Sequence, residues 1–217
     1  VGLPFGLVAA DQGHHVVAYD KDVEAVDRVM RGEMPFMEDG APELLDRVLE
    51  SGSFTASADP AVVSEAEVVV VVIGTPVDEH LNPDPSAVVD ALTELTDRFR
   101  DGQLVILRST VFPGVTRRVE AWFAEHHPGV SVAFCPERIA EGFALTEIVS
   151  LPQLVGARDE AVGARAGAFF VTLGVEAIDV LPEEAELAKL FTNTWRYVKF
   201  AAANQFWMMA NEFGVDF

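Results

Sequence analysis

The chain has 217 residues and a mass of 23.5 kDa, half of it hydrophobic, enough for one large α/β domain or for one domain and part of a second. Its 35 acidic and 15 basic residues give a formal charge of −20, a field that repels nucleic acid and anionic membrane and excludes both as expected partners. One cysteine, Cys135, leaves no internal disulfide framework and no thiolate metal cluster, as expected of a cytoplasmic protein, and the longest apolar run, residues 68–73, falls far short of the ~20 residues of a membrane helix.

Residues 1–10 are small and apolar and predict a helix, followed after a turn by a short strand over 15–19 that ends at Asp20. Val23, Val26 and Met30, with polar residues between, predict an amphipathic helix closed by Gly32; a loop with Pro35 and Gly40 then leads to a second helix over roughly 42–50. Residues 68–73 form the strongest strand, β-branched throughout as expected of a parallel strand covered on both faces. Helix 84–99, strand 104–107, helix 114–125 and strand 130–134 continue the alternation, which predicts a parallel α/β sheet. Residues 153–156 and 175–180 add two shorter β-type pieces around a helix over 159–171. From Glu183 until Gly214 there is no Pro or Gly, which predicts one helix about 45 Å long at ~1.5 Å per residue. The boundary expected near Leu181-Pro182 divides a sheet domain, 1–181, from the start of a helical one, 182–217.

Five constellations have a chemical reading beside a plain structural one. In a dinucleotide-binding turn a glycine-rich loop follows a strand and opens a helix, and an acid about 20 residues on takes the ribose hydroxyls. Gly2 fits the third glycine of such a turn and Asp20 the acid, with the first two glycines and their strand expected before Val1; alternatively the two are an ordinary helix glycine and a helix-capping Asp. Gly74-Thr75-Pro76 and Arg108-Ser109-Thr110 close neighbouring strands, so their N–H groups and hydroxyls face a ligand at the carboxyl edge of a sheet, or else make ordinary turns. Beyond a third strand lies Cys135-Pro136-Glu137-Arg138-Ile139-Ala140-Glu141-Gly142. If this is helical, Glu137 and Glu141 share a face where a carboxylate can activate a water; otherwise it is a solvated charged loop, and Cys135 reads as buried packing. On the long helix Lys189, Asn193 and Arg196 point to one side, in a run from 187 to 211 that holds no acid. That stripe suits an anionic ligand; the alternative is a solvated face over an apolar stripe of Leu187, Leu190, Thr194 and Val198. His14-His15 and His126-His127 are not spaced as ligands, and no metal site is expected.

Together these segments resemble the nucleotide-sugar 6-dehydrogenase family, the UDP-glucose/UDP-N-acetylmannosamine/GDP-mannose dehydrogenases, nearly end to end. The residues that carry the resemblance are Val1-Gly2-Leu3-Pro4, Asp20, Gly74-Thr75-Pro76, Ser109 to Gly114, Pro136 to Gly142, Leu151 to Gly156, and Lys189 with Asn193 and Arg196. The resemblance implies a Rossmann-like NAD-binding fold and a four-electron oxidation of a sugar C6 alcohol to a carboxylate, through an aldehyde and a cysteine thioester. It places NAD against Gly2, Asp20, Thr75 and Thr110, gives Lys189 and Asn193 to the C6 oxygen, and gives Glu141 to the water of thioester hydrolysis. Glu137, Arg138, Ile139, Lys189, Asn193 and Arg196 would contact the UDP-sugar. Glu137-Arg138-Ile139 with Arg196 is more like the N-acetylhexosamine branch than the UDP-glucose branch, which favours UDP-N-acetylmannosamine over UDP-glucose. Gln205 and Ala25 depart from the usual pattern, and neither the family's glycine-rich Cys motif nor its UDP-binding domain occurs before Phe217. The expectation is a piece that does not complete the oxidation alone and that forms a homodimer through the long helix, where Trp195, Phe206, Trp207 and Met208 cluster. A 3-hydroxyacid or 6-phosphogluconate-type dehydrogenase, with one hydride transfer and no cysteine, and a non-catalytic nucleotide-binding or dimerisation module are the competing expectations.

Overall fold

Residues 2–74, 79, 84, 86–139 and 142–217 are described by a computed structural model. Helices and strands alternate in the order α1 (Gly2–Asp11), β1 (Val16–Tyr19), α2 (Val23–Met30), α3 (Ala41–Glu50), β2 (Phe54–Ser57) and β3 (Val68–Val71). Then come α4 (Ala87–Glu94), β4 (Leu104–Leu107), α5 (Val115–His126), β5 (Ser131–Phe134), α6 (Ala144–Ser150), β6 (Gln153–Gly156), α7 (Glu160–Thr172), β7 (Ala177–Val180) and α8 (Pro182–Glu212). Asp22 and Asp159 start α2 and α7 by accepting N–H bonds of the first turn, the local device that carboxylates supply at helix starts.

The strands β3, β4 and β5 run parallel in order, β6 meets β5 antiparallel at Phe134 and Gly156, and β7 is parallel to β6; β1 and β2 form a separate parallel pair. Strand β4 is the centre, and all four of its residues are buried. Leu104 and Ile106 face a cluster built with Phe5 and Leu7 of α1, Leu45 of α3 and Phe170 of α7. Val105 and Leu107 face a second cluster with Leu92 of α4 and Val119 and Phe123 of α5. Period-2 alternation thus feeds two cores, and helices cover both faces of the sheet, which is the Rossmann-like α/β architecture.

Several expectations need adjusting. The strand within the β-branched run 68–73 covers only Val68–Val71, and its residues are half-buried; Val68 and Val70 face one core and Val69 and Val71 the other, but among the described residues β3 has a partner strand on one edge only. The fully covered strand is β4. Helix 84–99 shortens to α4 plus a 3₁₀ turn over Thr96–Arg98. Strand β2 and helix α6 were not anticipated, because Phe54-Thr55-Ala56-Ser57 and Ala144 to Ser150 are too short for either period to show. The long helix is present, and Pro182, Ala185, Glu186 and Lys189 in its first turns are its buried residues. Its approach depends on Gly156: a Cβ there would lie 2.9 Å from Pro182 Cα and 3.0 Å from the Phe134 carbonyl oxygen.

Candidate active site

Helix α1 begins against Val72, just past β3, runs the length of the sheet, and returns through a short turn into β1. The carboxyl end of β1 therefore lies on the same rim as those of β3, β4 and β5, and this rim carries Asp20, Gly74, Thr110 and Pro136. Asp20 is exposed, and its Oδ1 accepts the N–H of Asp22 at 3.0 Å; the cap of α2 is Asp22, so the helix-capping alternative for Asp20 is not realised. Among the described residues no atom lies within 4 Å of a Cβ added at Gly74, and Gly74, Thr110, Val111 and Phe112 line a cleft there. An exposed carboxylate at one strand end and a cleft beside the next fit a dinucleotide. Gly2 is less constrained than expected: a Cβ would meet Val72 Cβ at 3.5 Å, an ordinary contact, so close approach does not demand glycine at that position. The Ser109 hydroxyl is committed to structure, bridging the N–H and carbonyl of Ile73 at 2.9 Å each. Thr75 and Glu141 lie outside the described residues.

Arg108 ties this rim to the segment that follows β5. Its guanidinium lies 4.3 Å from the centre of the Phe5 ring and 5.3 Å from that of Phe170, pairs with the Glu137 carboxylate through Nη2, and donates through Nη1 to Gln153 Oε1 at 2.9 Å and the Cys135 carbonyl at 3.3 Å. Glu137 Oε1 accepts the N–H groups of Arg138 (2.8 Å) and Ile139 (3.1 Å). The stretch 136–139 is thus neither helical nor solvated: Glu137 is buried and turned inward. Cys135 is fully buried, and burial pushes its thiol up to about 12, against a small opposing effect of Arg108. A thiol in that state is packing and not a nucleophile.

Helix α8 brings the remaining residues. Lys189 is 9% exposed and donates to the Glu137 carbonyl, while Arg196 Nη2 approaches the Arg138 carbonyl at 3.5 Å and Arg138 reaches the Pro152 carbonyl. Asn193, one turn from Lys189, is half-buried on the same side. Of the proposed apolar stripe, Leu187, Thr194 and Val198 are exposed and Leu190 is half-buried, and Phe191 and Trp195 beside it are exposed as well. The solvated-face alternative is therefore not realised: Lys189 and Arg196, and not that stripe, make the inward contacts. Burial lowers the Lys189 pKa, helped by Arg196, Arg108 and Arg138, while Glu137 opposes. Burial beside three guanidinium groups disfavours the charged form of this amine, and the cationic cluster attracts anions.

Glu137, Arg138, Ile139, Lys189, Asn193 and Arg196 are thus gathered around one segment, with Asp20 and Thr110 on the same rim. Four buried polar groups hold it together: Arg108 and Gln153, which lie in marked segments but were given no role of their own, and Glu186 and Glu38, which no motif marked. Glu186, from α8, accepts the N–H of Gly114 (2.7 Å) and both the N–H (2.8 Å) and hydroxyl (2.6 Å) of Thr116, capping α5 from outside. The signal available in the sequence was an acid set among apolar residues, Ala185-Glu186-Leu187-Ala188 and Phe36-Met37-Glu38.

Residues 1–173 match the family model described as the UDP-glucose/GDP-mannose dehydrogenase family, NAD binding domain. The chain is 28% identical over 229 residues to the UDP-N-acetyl-D-mannosamine dehydrogenase of Salmonella typhi, covering 100% of this chain and 54% of that protein. The solved UDP-D-ManNAc dehydrogenase from Pyrococcus horikoshii superimposes with a TM-score of 0.90 at 26% identity, covering 99% of this chain and 53% of that one. A UDP-glucose dehydrogenase from the archaeon Pyrobaculum islandicum gives a TM-score of 0.87 at 29% identity, covering 99% and 52%. The chain spans about half the length of the curated relatives it matches.

Proposed function

Since the chain belongs to the UDP-glucose/GDP-mannose dehydrogenase family through its NAD-binding domain, we propose that it serves a nucleotide-sugar 6-dehydrogenase that oxidises UDP-N-acetylmannosamine to the uronate in two hydride transfers. The observation that carries this reading is the inward contact of α8, where Lys189 and Arg196 donate to the Glu137 and Arg138 carbonyls and Asn193 lies half-buried on the same side of the helix. When bound, NAD supplies the hydride acceptor. Asp20 would take its ribose hydroxyls, and Gly2, Thr75 and Thr110 would line its path at the strand ends. Lys189 and Asn193 donate to the C6 oxygen as charge develops there, and the lowered Lys189 pKa lets the amine take and return the alcohol proton. Arg196, Arg138 and Ile139 meet the sugar nucleotide, Glu137 sets the backbone of that segment, and Glu141 is assigned the water of the hydrolytic step.

The thioester of the second oxidation needs an activated thiol, and Cys135 is shut away. Residues 1–217 incubated with NAD and the UDP-sugar are therefore expected to yield no uronate. The exposed aromatic residues of α8, Phe191, Trp195, Tyr197, Phe206 and Trp207, support a homodimer through this helix, and a clean monomer in sedimentation would count against it. Substrate choice is tested by comparing kcat/KM in the enzyme at its relatives' full length. UDP-N-acetylmannosamine should exceed UDP-glucose by about tenfold or more, on the scale of one well-made pocket contact. An equal or reversed ratio would transfer the assignment to UDP-glucose.

A further inference from the structure

Glu38 is a buried carboxylate in the loop between α2 and α3, set among Met34, Phe36, Met37 and Pro42. Buried acids are rare unless fully engaged, and this one is: Oε1 accepts the N–H of Ala144 at 2.7 Å and Oε2 that of Gly142 at 3.1 Å. Phe143, at the start of α6, supplies no capping side chain, so the first turn of α6 takes its acceptor from more than one hundred residues away. A Ser or Asp at position 143 would reach the N–H groups of residues 145 and 146 instead, and would leave those of Gly142 and Ala144 unmet. What a distant acid adds is a fixed place for the 142–144 backbone relative to the loop at 34–40. At Glu137 the chain is already fixed, because Arg108 holds its carboxylate and Lys189 its carbonyl.

We propose that Glu38 is a positioning residue: it fixes the backbone at Gly142 and Ala144 and thereby the presentation of residues 137–139 to the nucleotide sugar. The proposal rests on the functional reading above for its consequence, though not for its contact. Its first test is hydrogen exchange on the 217-residue chain with Glu38→Ala and Glu38→Gln. Gln is near-isosteric but accepts only one of the two N–H bonds without turning an NH₂ against the other. Exchange at residues 142–150 should rise about tenfold or more in Glu38→Ala and less in Glu38→Gln, with β4 protection within twofold of wild type. Unchanged exchange at 142–150 overturns the proposal, and so does loss of β4 protection in both variants, which marks a general unfolding. The second test, in the enzyme at its relatives' full length, is a kcat for the UDP-sugar reduced about tenfold or more in Glu38→Gln while KM for NAD stays within threefold. Faster exchange with unchanged kcat leaves Glu38 a structural cap and refutes positioning. If the wild-type enzyme turns over no UDP-sugar, the functional reading fails, and exchange still decides whether Glu38 holds the segment.

Discussion

Arg108 lies between the Phe5 and Phe170 rings, with both terminal nitrogens engaged and Nε with no hydrogen-bond partner among the described residues. The Arg108–Glu137 pair is buried, its side chains 2% and 9% exposed, and removing one partner of such a pair strands the other charge away from water. Arg108→Met should cost about 3–5 kcal/mol in urea unfolding, and the double variant Arg108→Met/Glu137→Leu should recover much of that loss. Equal instability of the single and double variants would show that packing, and not the stranded carboxylate, dominates. Lys189 gives a pH signature. Its folded-state pKa is below 10.5, so between that lowered value and 10.5 the unfolded chain binds more protons, and the Lys189 contribution to stability rises with pH. Wild type should gain stability relative to Lys189→Met as pH is raised from 7 toward 10.5, read from urea midpoints; a flat difference would mean that the amine is not desolvated.

At the scale of elements, the first half of α8 has Lys189, Asn193 and Arg196 inside and Leu187, Phe191 and Trp195 outside, and three devices fix it so. Glu186 caps α5, Lys189 reaches the Glu137 carbonyl, and Gly156 lets the first turn approach β5 and β6. A methyl at Gly156 meets backbone atoms that no rotamer change can move, so Gly156→Ala should destabilise by about 1–3 kcal/mol in urea unfolding. No loss of stability would mean that α8 can shift outward freely. The elements themselves were largely legible, since apolar periodicity and Gly/Pro punctuation mark α2, α3, β4, α5 and α8 without ambiguity. The devices that join them were not. Glu186 meets Thr116 across 70 residues and Glu38 meets Ala144 across 106, and a lone acid in sequence looks the same whether it faces water or a helix start. The rim residues were legible because each sits at a strand end; the inward turn of Glu137 depends on Arg108, which only the fold brings beside it.

The whole molecule distributes its charge unevenly. Residues 1–100 hold 20 acids and 6 bases, while residues 187–211 hold three bases and no acid. The cationic side of that acid-free run faces the 137–139 segment, so the part of a −20 chain that would meet an anionic sugar nucleotide is the part spared the negative field. Among the described residues no helix is long and apolar enough to cross a membrane. The proposed function is a two-step NAD-dependent oxidation of a nucleotide sugar. The direct measurement counts NADH released per UDP-N-acetylmannosamine consumed by the enzyme that carries residues 1–217 at the full length of its relatives. The account predicts two, with the uronate as product; a value of one, as a 3-hydroxyacid-type dehydrogenase gives, or no NADH at all would contradict it.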